Sequence, residues 1–211
     1  EELIKKPIAD IIQDLNDYDR RLFLELPIVE VFNLLHQDTS AENAYFKKYQ
    51  ERFNQLTYYG ISILIFQNSI TERAKILIKY FGICKQFLSF KNYISLMIFY
   101  SIISSASLDF LGRTWARAEE MNSRIIEEFK FYKDLFEPTY SNLRKKLKSD
   151  ENYKFSAIPC LNIYQRTIWK LKSALFFNKD GKRFVSIDKL KYLEGICTQI
   201  ENFQQFNSSN S

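Results

Sequence analysis

Two stretches of sixteen residues, Leu56 to Thr71 and Tyr93 to Leu108, contain no charged side chain. Segments this apolar must be covered by something. A helix crossing a bilayer needs roughly 18–20 consecutive apolar residues, and both stretches fall short and include Ser, Thr or Asn. They are therefore predicted to be helices buried on nearly all sides, which requires a domain of several helical layers. KNYISLMIFYSI, residues 91–102, is expected to form the central and most buried helix, with Leu96, Phe99 and Tyr100 inaccessible.

The rest of the chain reads as helix around that centre. A length of 211 residues suits one sizeable core. Five Gly and four Pro are too few for the many turns of a β-sandwich or barrel. Ile4, Ile8, Ile11, Ile12 and Leu15 recur at helical spacing, with a turn predicted at Asn16-Asp17 and a short helix over Tyr18 to Leu24. Pro27 suits the first turn of a helix running to about His36. Ser40 suits the N-cap of a long helix over about Ala41 to Gln67, and Thr71 that of a helix over Glu72 to about Leu88. Thr114 is expected to open one long amphipathic helix with Met121, Ile125, Ile126, Phe129, Tyr132 and Phe136 on one face. Pro138 should start a shorter basic helix, followed by a polar loop over SDENYKFSA. Beyond the helix in IPCLNIYQRTIWKLKSALFF, NKDGKRF reads as a basic turn, and Ser186 caps a last helix ending near Phe206. The chain is thus predicted to be all-α, a single domain over 1–206 with a frayed tail at 207–211.

The chemistry this composition offers is sparse. A net charge of +5 is modest for a nucleic-acid binder, so nucleic acid is not the expected partner. The basic runs Arg144-Lys145-Lys146-Lys148 and Lys182-Arg183 read as solvated faces that leave room for weak contact with an acidic membrane surface. Cys84, Cys160 and Cys197 are odd in number and widely separated, which fits neither a disulfide framework nor a zinc site and suits a reducing, cytoplasmic setting. The lone histidine, His36, has no metal-ligand or catalytic companion in the sequence. The first residues do not resemble a signal peptide. Glycines stand singly, with no phosphate loop, and H-E-x-x-H and nucleophile-elbow motifs are missing. Glu119-Glu120 and Glu127-Glu128 read as a solvated helix face. Neither metal nor cofactor is expected, and the chain is expected to be monomeric and not a covalent catalyst.

What the sequence does carry is an ordered set of short matches. ERFNQL, ERAKILIKYFGICKQFLSFKNYISLMIFYSII, TYSNLRKKLKS and IPCLNIY follow one another along the chain. The residues that carry the pattern are Arg52-Phe53-Asn54, Glu72-Arg73-Ala74, Lys91-Asn92-Tyr93 with Ser95-Leu96-Met97, and Ser104-Ser105 with Thr114-Trp115. They continue as Thr139-Tyr140 with Asn142-Leu143-Arg144, then Ile158-Pro159 with Ile163-Tyr164. In this order and spacing they resemble the catalytic domain of guanine nucleotide exchange factors for Ras-family GTPases. ADIIQDLNDYDRRLFLELP and IDKLKYLEGICTQIENFQQF are similar to that family's first and last segments, so the likeness covers essentially the whole chain.

The resemblance implies a domain that binds a Ras-like small GTPase, preferring its nucleotide-free form. Such a domain opens the nucleotide site with a protruding helical hairpin. By alignment, Met97, Tyr140 and Cys160 would line a pocket for the second switch, although Met97 and Cys160 are also ordinary core residues. Ser104 would face the GTPase, beside Gln50 and Glu51 on the long helix. The hairpin's first helix would span Arg166 to Ala174 and present Arg166, Trp169, Lys170 and Ser173. Here the chain departs from the family, which usually has an aliphatic and then an acidic residue where this chain has Trp169 and Ser173. A basic hairpin cannot repel phosphate as a carboxylate does. The departure leaves open a related module that binds a GTPase or other protein without promoting exchange. A third reading is an unrelated helical module that engages acidic lipid or RNA through its basic runs.

Overall fold

A computed structural model describes residues 6–35, 44–179 and 182–209. Helix α5, Tyr93–Ile103, lies at the centre, and residues 92 to 99 form an unbroken buried run. The Asn92 side chain starts it by accepting a hydrogen bond from the Ser95 amide at 3.0 Å. Packed around α5 are α3, Ala44–Ile65, and α4, Ile70–Ser89, and α4 in turn covers α7, Gly112–Met121. Leu96 and Phe99 are buried as expected, but Tyr100 is only half-buried because it stacks on Phe136 at the core's edge, with ring centroids 4.8 Å apart.

The closest approach of two helices explains one glycine. A Cβ on Gly60 would lie 2.3 Å from Ile102 Cδ1, so α3 and α5 can cross this closely only without a side chain there. The Tyr80 hydroxyl donates to the Gly60 carbonyl at 2.8 Å and holds α4 against the same crossing.

Several boundaries differ from expectation, each for a visible reason. Helix α1 runs unbroken over Ile8–Leu24, with no turn at Asn16-Asp17. Asn16 is buried, and its side-chain oxygen accepts from Asn92 Nδ2 at 3.3 Å, so a tertiary partner holds a turn-prone residue inside the helix. Helix α2 is shorter than predicted, Ile28–Asn33, with Pro27 at its N-cap; His36 and Ser40 lie outside the described residues. Ser69, not Thr71, caps α4 and accepts from the Glu72 amide.

The long helix expected after Thr114 is two. Asn122 is extended (φ −145°, ψ 95°), and its side-chain oxygen accepts from the Arg124 amide, an alternative to helix that Asn offers the backbone. The chain therefore turns between α7 and α8, Ile125–Leu135, and Met121 is exposed rather than on the core face. The short α6, Ala106–Asp109, links α5 to α7.

Helix α9 starts at Ser141 rather than Pro138, after Tyr140 in the left-handed region at φ 56°. The Glu137 carboxylate accepts from the amides of Thr139 and Ser141 and from the Thr139 hydroxyl, and these bonds hold it below the ordinary carboxylate range. The predicted polar loop begins late, because α9 continues to Asn152. Buried Asp150 there accepts from the Tyr93 hydroxyl at 2.5 Å, and Glu151 is bound by Gln199 and Asn202.

The hairpin is built from α10, Leu161–Leu175, and α11, Ile187–Ser209, joined by a two-stranded antiparallel ribbon where a plain turn was expected. Its strands are β1, Phe176–Lys179, and β2, Lys182–Val185, with Phe176 opposite Val185 and Lys179 opposite Lys182. Helix α11 does not fray at residue 207. Asn207 is buried and donates to the carbonyls of Ala157 and Phe203, both at 2.8 Å. One turn earlier, Gln204 donates to the carbonyls of Phe23 and Leu26, so the last helix clasps the first. Among the described residues no helix is long and apolar enough to cross a membrane.

Candidate functional site

Five segments bring the predicted site residues together. Helix α3 supplies Tyr49, Gln50 and Glu51; α5 supplies Met97 and Tyr100 and has Ser104 at its C-cap; Tyr140 precedes α9; Cys160 precedes α10; and α10 carries Arg166, Trp169, Lys170 and Ser173. A short parallel bridge sets this arrangement. The Tyr93 amide donates to the Ile158 carbonyl at 2.8 Å and the Ile158 amide to the Lys91 carbonyl at 2.9 Å, which ties the start of α10 to the start of α5.

Below the surface the contacts are firm. Cys160 is fully buried, with its Sγ 3.7 Å from the Tyr49 hydroxyl. Burial pushes its thiol up to about 11, against hydrogen bonds from Tyr49 and two amides, so it is protonated at neutral pH. It supports the surface from behind and does not form it. Met97 is likewise nearly covered, at 8% exposure. The pocket expected from Met97, Tyr140 and Cys160 therefore has one reachable wall, the half-buried Tyr140.

At the surface, α10 divides cleanly. Ile163, Ile168 and Leu171 are buried, while Trp169 is 45% exposed and Arg166 and Lys170 face solvent. The Arg166 guanidinium lies 5.6 Å from the centroid of the Tyr140 ring, within cation–π range. Burial raises the Tyr140 hydroxyl above its ordinary range, with Arg166 opposing the shift. The Ser104 amide donates to the Tyr100 carbonyl at 2.9 Å, closing α5. Gln50 Nε2 reaches Gln165 Oε1 at 3.5 Å, which places the predicted face of α3 beside the hairpin. Ser173 lies on α10 by its backbone, and its side chain falls outside the described residues.

Four contributors escaped the sequence reading. Gln165 and Tyr49 join α3 to α10, Thr167 accepts from Arg144 Nη2 at 3.0 Å, and the Tyr100 carbonyl holds the Ser104 amide. Thr167 and Gln165 flank Arg166 in sequence, so alternation around an exposed cation was the available signal. The contacts themselves are tertiary.

A further polar cluster anchors the site's helices. Asp19 is fully buried; its Oδ1 lies 2.7 Å from Arg52 Nη2, and its Oδ2 accepts from Asn92 and Ser95. Burial pushes its carboxyl above the ordinary range, against Arg52, Ser95 and Asn92. Arg52 also stacks over Tyr18 at 4.7 Å, which locks α1, α3 and α5 together.

An exposed indole and guanidinium thus stand on one helix beside a polar helix face, and Trp and Arg are the residue types most enriched at interface hot spots. The sequence pattern of the RasGEF domain matches residues 10–207. Ras-specific guanine nucleotide-releasing factor 1 of Mus musculus is 21% identical over 202 residues, covering 94% of this chain and 16% of that protein. Rap guanine nucleotide exchange factor 1 of Homo sapiens is 25% identical over 99 residues, or 47% of this chain and 9% of that protein. Ras-specific guanine nucleotide-releasing factor RalGPS1 of Danio rerio is 28% identical over 116 residues, 55% of this chain and 19% of that protein. The chain thus spans under a fifth of the length of each of these relatives. Because the domain match runs from the first described helix to the last, the chain belongs to the RasGEF domain family.

Proposed function

We propose that the protein is a guanine nucleotide exchange factor for a Ras-like small GTPase, and that α10 is the element that opens the nucleotide site. The reading rests on family membership, and the observation that carries the α10 role is its division of labour. Ile163, Ile168 and Leu171 fix the helix, which leaves Trp169 and Arg166 to project on one face. A rigid helix can wedge where a mobile loop cannot. With no acidic side chain at Trp169 or Ser173, opening is proposed to be steric, by the indole, and not by repulsion of phosphate.

The energetics define what such a protein does. A nucleotide held at picomolar strength is bound by about 16 kcal/mol, so its release must be offset by contacts to the opened GTPase. This is coupling between two ligands of one GTPase, and it is reciprocal: the exchange factor weakens nucleotide by the factor that nucleotide weakens the exchange factor. The expected experiment outcome follows directly. In a panel of small GTPases, the partner binds the chain tightly after EDTA strips its nucleotide, and excess GDP or GTP dissociates the complex. Equal affinity for empty and loaded forms would favour the second reading, a RasGEF-like module that binds without promoting exchange. That reading draws its support from the basic Arg166 and Lys170 on the hairpin.

A further inference from the structure

Behind the hairpin, on the side of α10 away from Trp169, a groove of about 340 Å³ opens between α9, α10 and α11. Its walls are apolar, from Leu147, Ile163 and Ile196, and Arg144, Lys148 and Lys191 line it as well. Its one carboxylate is already engaged: Glu151 accepts from Lys148, Gln199 and Asn202 at 2.8–3.1 Å. Arg144 has only the neutral Thr167 hydroxyl, and among the described residues no carboxylate pairs with it or with Lys191. A Cβ on Gly195, also in the lining, would meet nothing within 4 Å, so the groove's space is continuous above that residue.

We propose that this groove binds a small amphipathic anion, with an apolar body of one or two rings or a short alkyl chain and a single phosphate, sulfonate or carboxylate head. The volume lies within the range of small-molecule sites, and apolar walls with a few placed polar groups are their usual makeup. The head sits between Arg144 and Lys191, where two cations lack a counter-charge, and the body lies against Leu147, Ile163 and Ile196. The site is also coupled to the hairpin. Arg144 on α9 is one turn from Tyr140, which precedes that helix; the first touches Thr167 and the second Arg166, neighbours on α10. An anion that draws Arg144 from Thr167 therefore acts on the segment that holds Arg166. This second claim rests on the proposed exchange function; the binding claim does not.

The probe is 1-anilinonaphthalene-8-sulfonate, titrated by fluorescence against the full chain. One saturable site is expected. Gly195→Phe fills the groove and should weaken binding at least tenfold with an unchanged melting temperature. Lys191→Gln, an exposed substitution, should weaken it about threefold. N-phenyl-1-naphthylamine, which has the same rings without the sulfonate, should be indifferent to Lys191→Gln. Octyl phosphate is expected to displace the probe, which would mark a soluble anion as sufficient. Co-sedimentation with phosphatidylcholine–phosphatidylserine vesicles that Gly195→Phe abolishes would instead assign the head group to a membrane lipid. Sulfonate binding unaffected by both substitutions overturns the site. For the coupled claim, octyl phosphate should change the rate of GDP release for the native chain and not for Gly195→Phe. Binding without that change removes the coupling alone, and no exchange at all removes the functional reading while leaving the groove.

Discussion

The two uncharged stretches look alike in sequence and behave differently in the fold. In Tyr93 to Leu108, every residue from Tyr93 to Phe99 is buried. In Leu56 to Thr71, Gly60, Ile63 and Leu64 are buried, but Tyr58 is 72% exposed, Phe66 is 80% exposed, and Tyr59 and Ile65 are exposed too. The expectation that both are sheathed on nearly all sides holds for the first and fails for the second. Position in the stack decides the matter. Helix α5 has α3, α4 and α1 against it, whereas the second half of α3 meets α5 and α4 at Gly60 and leaves Tyr58, Tyr59 and Ile65 to solvent. Lack of charge reports that a segment tolerates burial; it does not report how many neighbours will arrive. An apolar face left exposed on a folded domain is where a partner is to be sought.

The largest expected effect tests the buried member of the pair. Phe99 is 4% exposed and packs edge-on to Tyr80 at 5.5 Å and tilted against Phe87 at 5.9 Å. Phe99→Ala should cost about 3–5 kcal/mol in urea unfolding, through lost transfer energy and the cavity left behind. A loss below about 1 kcal/mol would place α5 at a surface and dissolve the contrast.

Next in size is the crossing where the two stretches meet. Gly60→Ala sets a methyl 2.3 Å from Ile102 Cδ1, an overlap that costs about 1–3 kcal/mol. The better helix propensity of Ala returns up to about 1 kcal/mol. The net loss should shrink when Ile102→Val removes the offending Cδ1, so the double variant is expected to be less destabilised than the sum of the singles. Simple additivity would mean that α3 and α5 adjust their spacing freely.

The fold class was legible because apolar periodicity and the scarcity of Gly and Pro are properties of local sequence. What was not legible depends on partners far along the chain. Asn16 reads as a turn residue until Asn92 is seen bonding it, and SDEN reads as loop until Tyr93 is seen on Asp150. Arg52, Asn92 and Ser95 marked the family in sequence, but their convergence on Asp19 is a tertiary fact. The ribbon was a missed local signal: Asp180-Gly181 between FFNK and KRFV is the dipeptide that favours a tight hairpin. At the site, the resemblance presented Arg166 and Trp169 on the hairpin's first helix, where their three-residue spacing sets them on one face, and both are exposed. Alignment alone put Cys160 in a pocket, and alignment carries no information about which side chains reach solvent.

Trp169 extends the comparison to a helix of mixed character. It is the same kind of exposed apolar group as Tyr58, but set among cations on the proposed hairpin. Trp169→Ala should leave melting nearly unchanged while slowing exchange-factor-stimulated GDP release at least about tenfold, which corresponds to some 1.4 kcal/mol of lost stabilisation of the opened state. A large fall in melting temperature would make the indole a core residue. Unchanged melting with unchanged release would remove α10 from the mechanism.

The smallest expected effect is at Tyr58, and it bears most directly on why the second stretch is uncovered. Tyr58 lies four residues after Asn54 and seven after Glu51 on α3, so it continues the solvent-facing stripe that starts beside the hairpin. Its ring contributes little to the fold, and Tyr58→Ser should change unfolding stability by no more than about 0.5 kcal/mol, as surface substitutions usually do. If the stripe belongs to the proposed GTPase surface, the same variant should slow stimulated GDP release by about threefold. That is less than at Trp169, because Tyr58 stands two turns along α3 from Gln50, which touches α10. A stability loss approaching that of Phe99→Ala would mean that both stretches are core in solution. A native stability with native exchange would confine the functional surface to the first half of α3 and leave the aromatic face of its second half to some other contact.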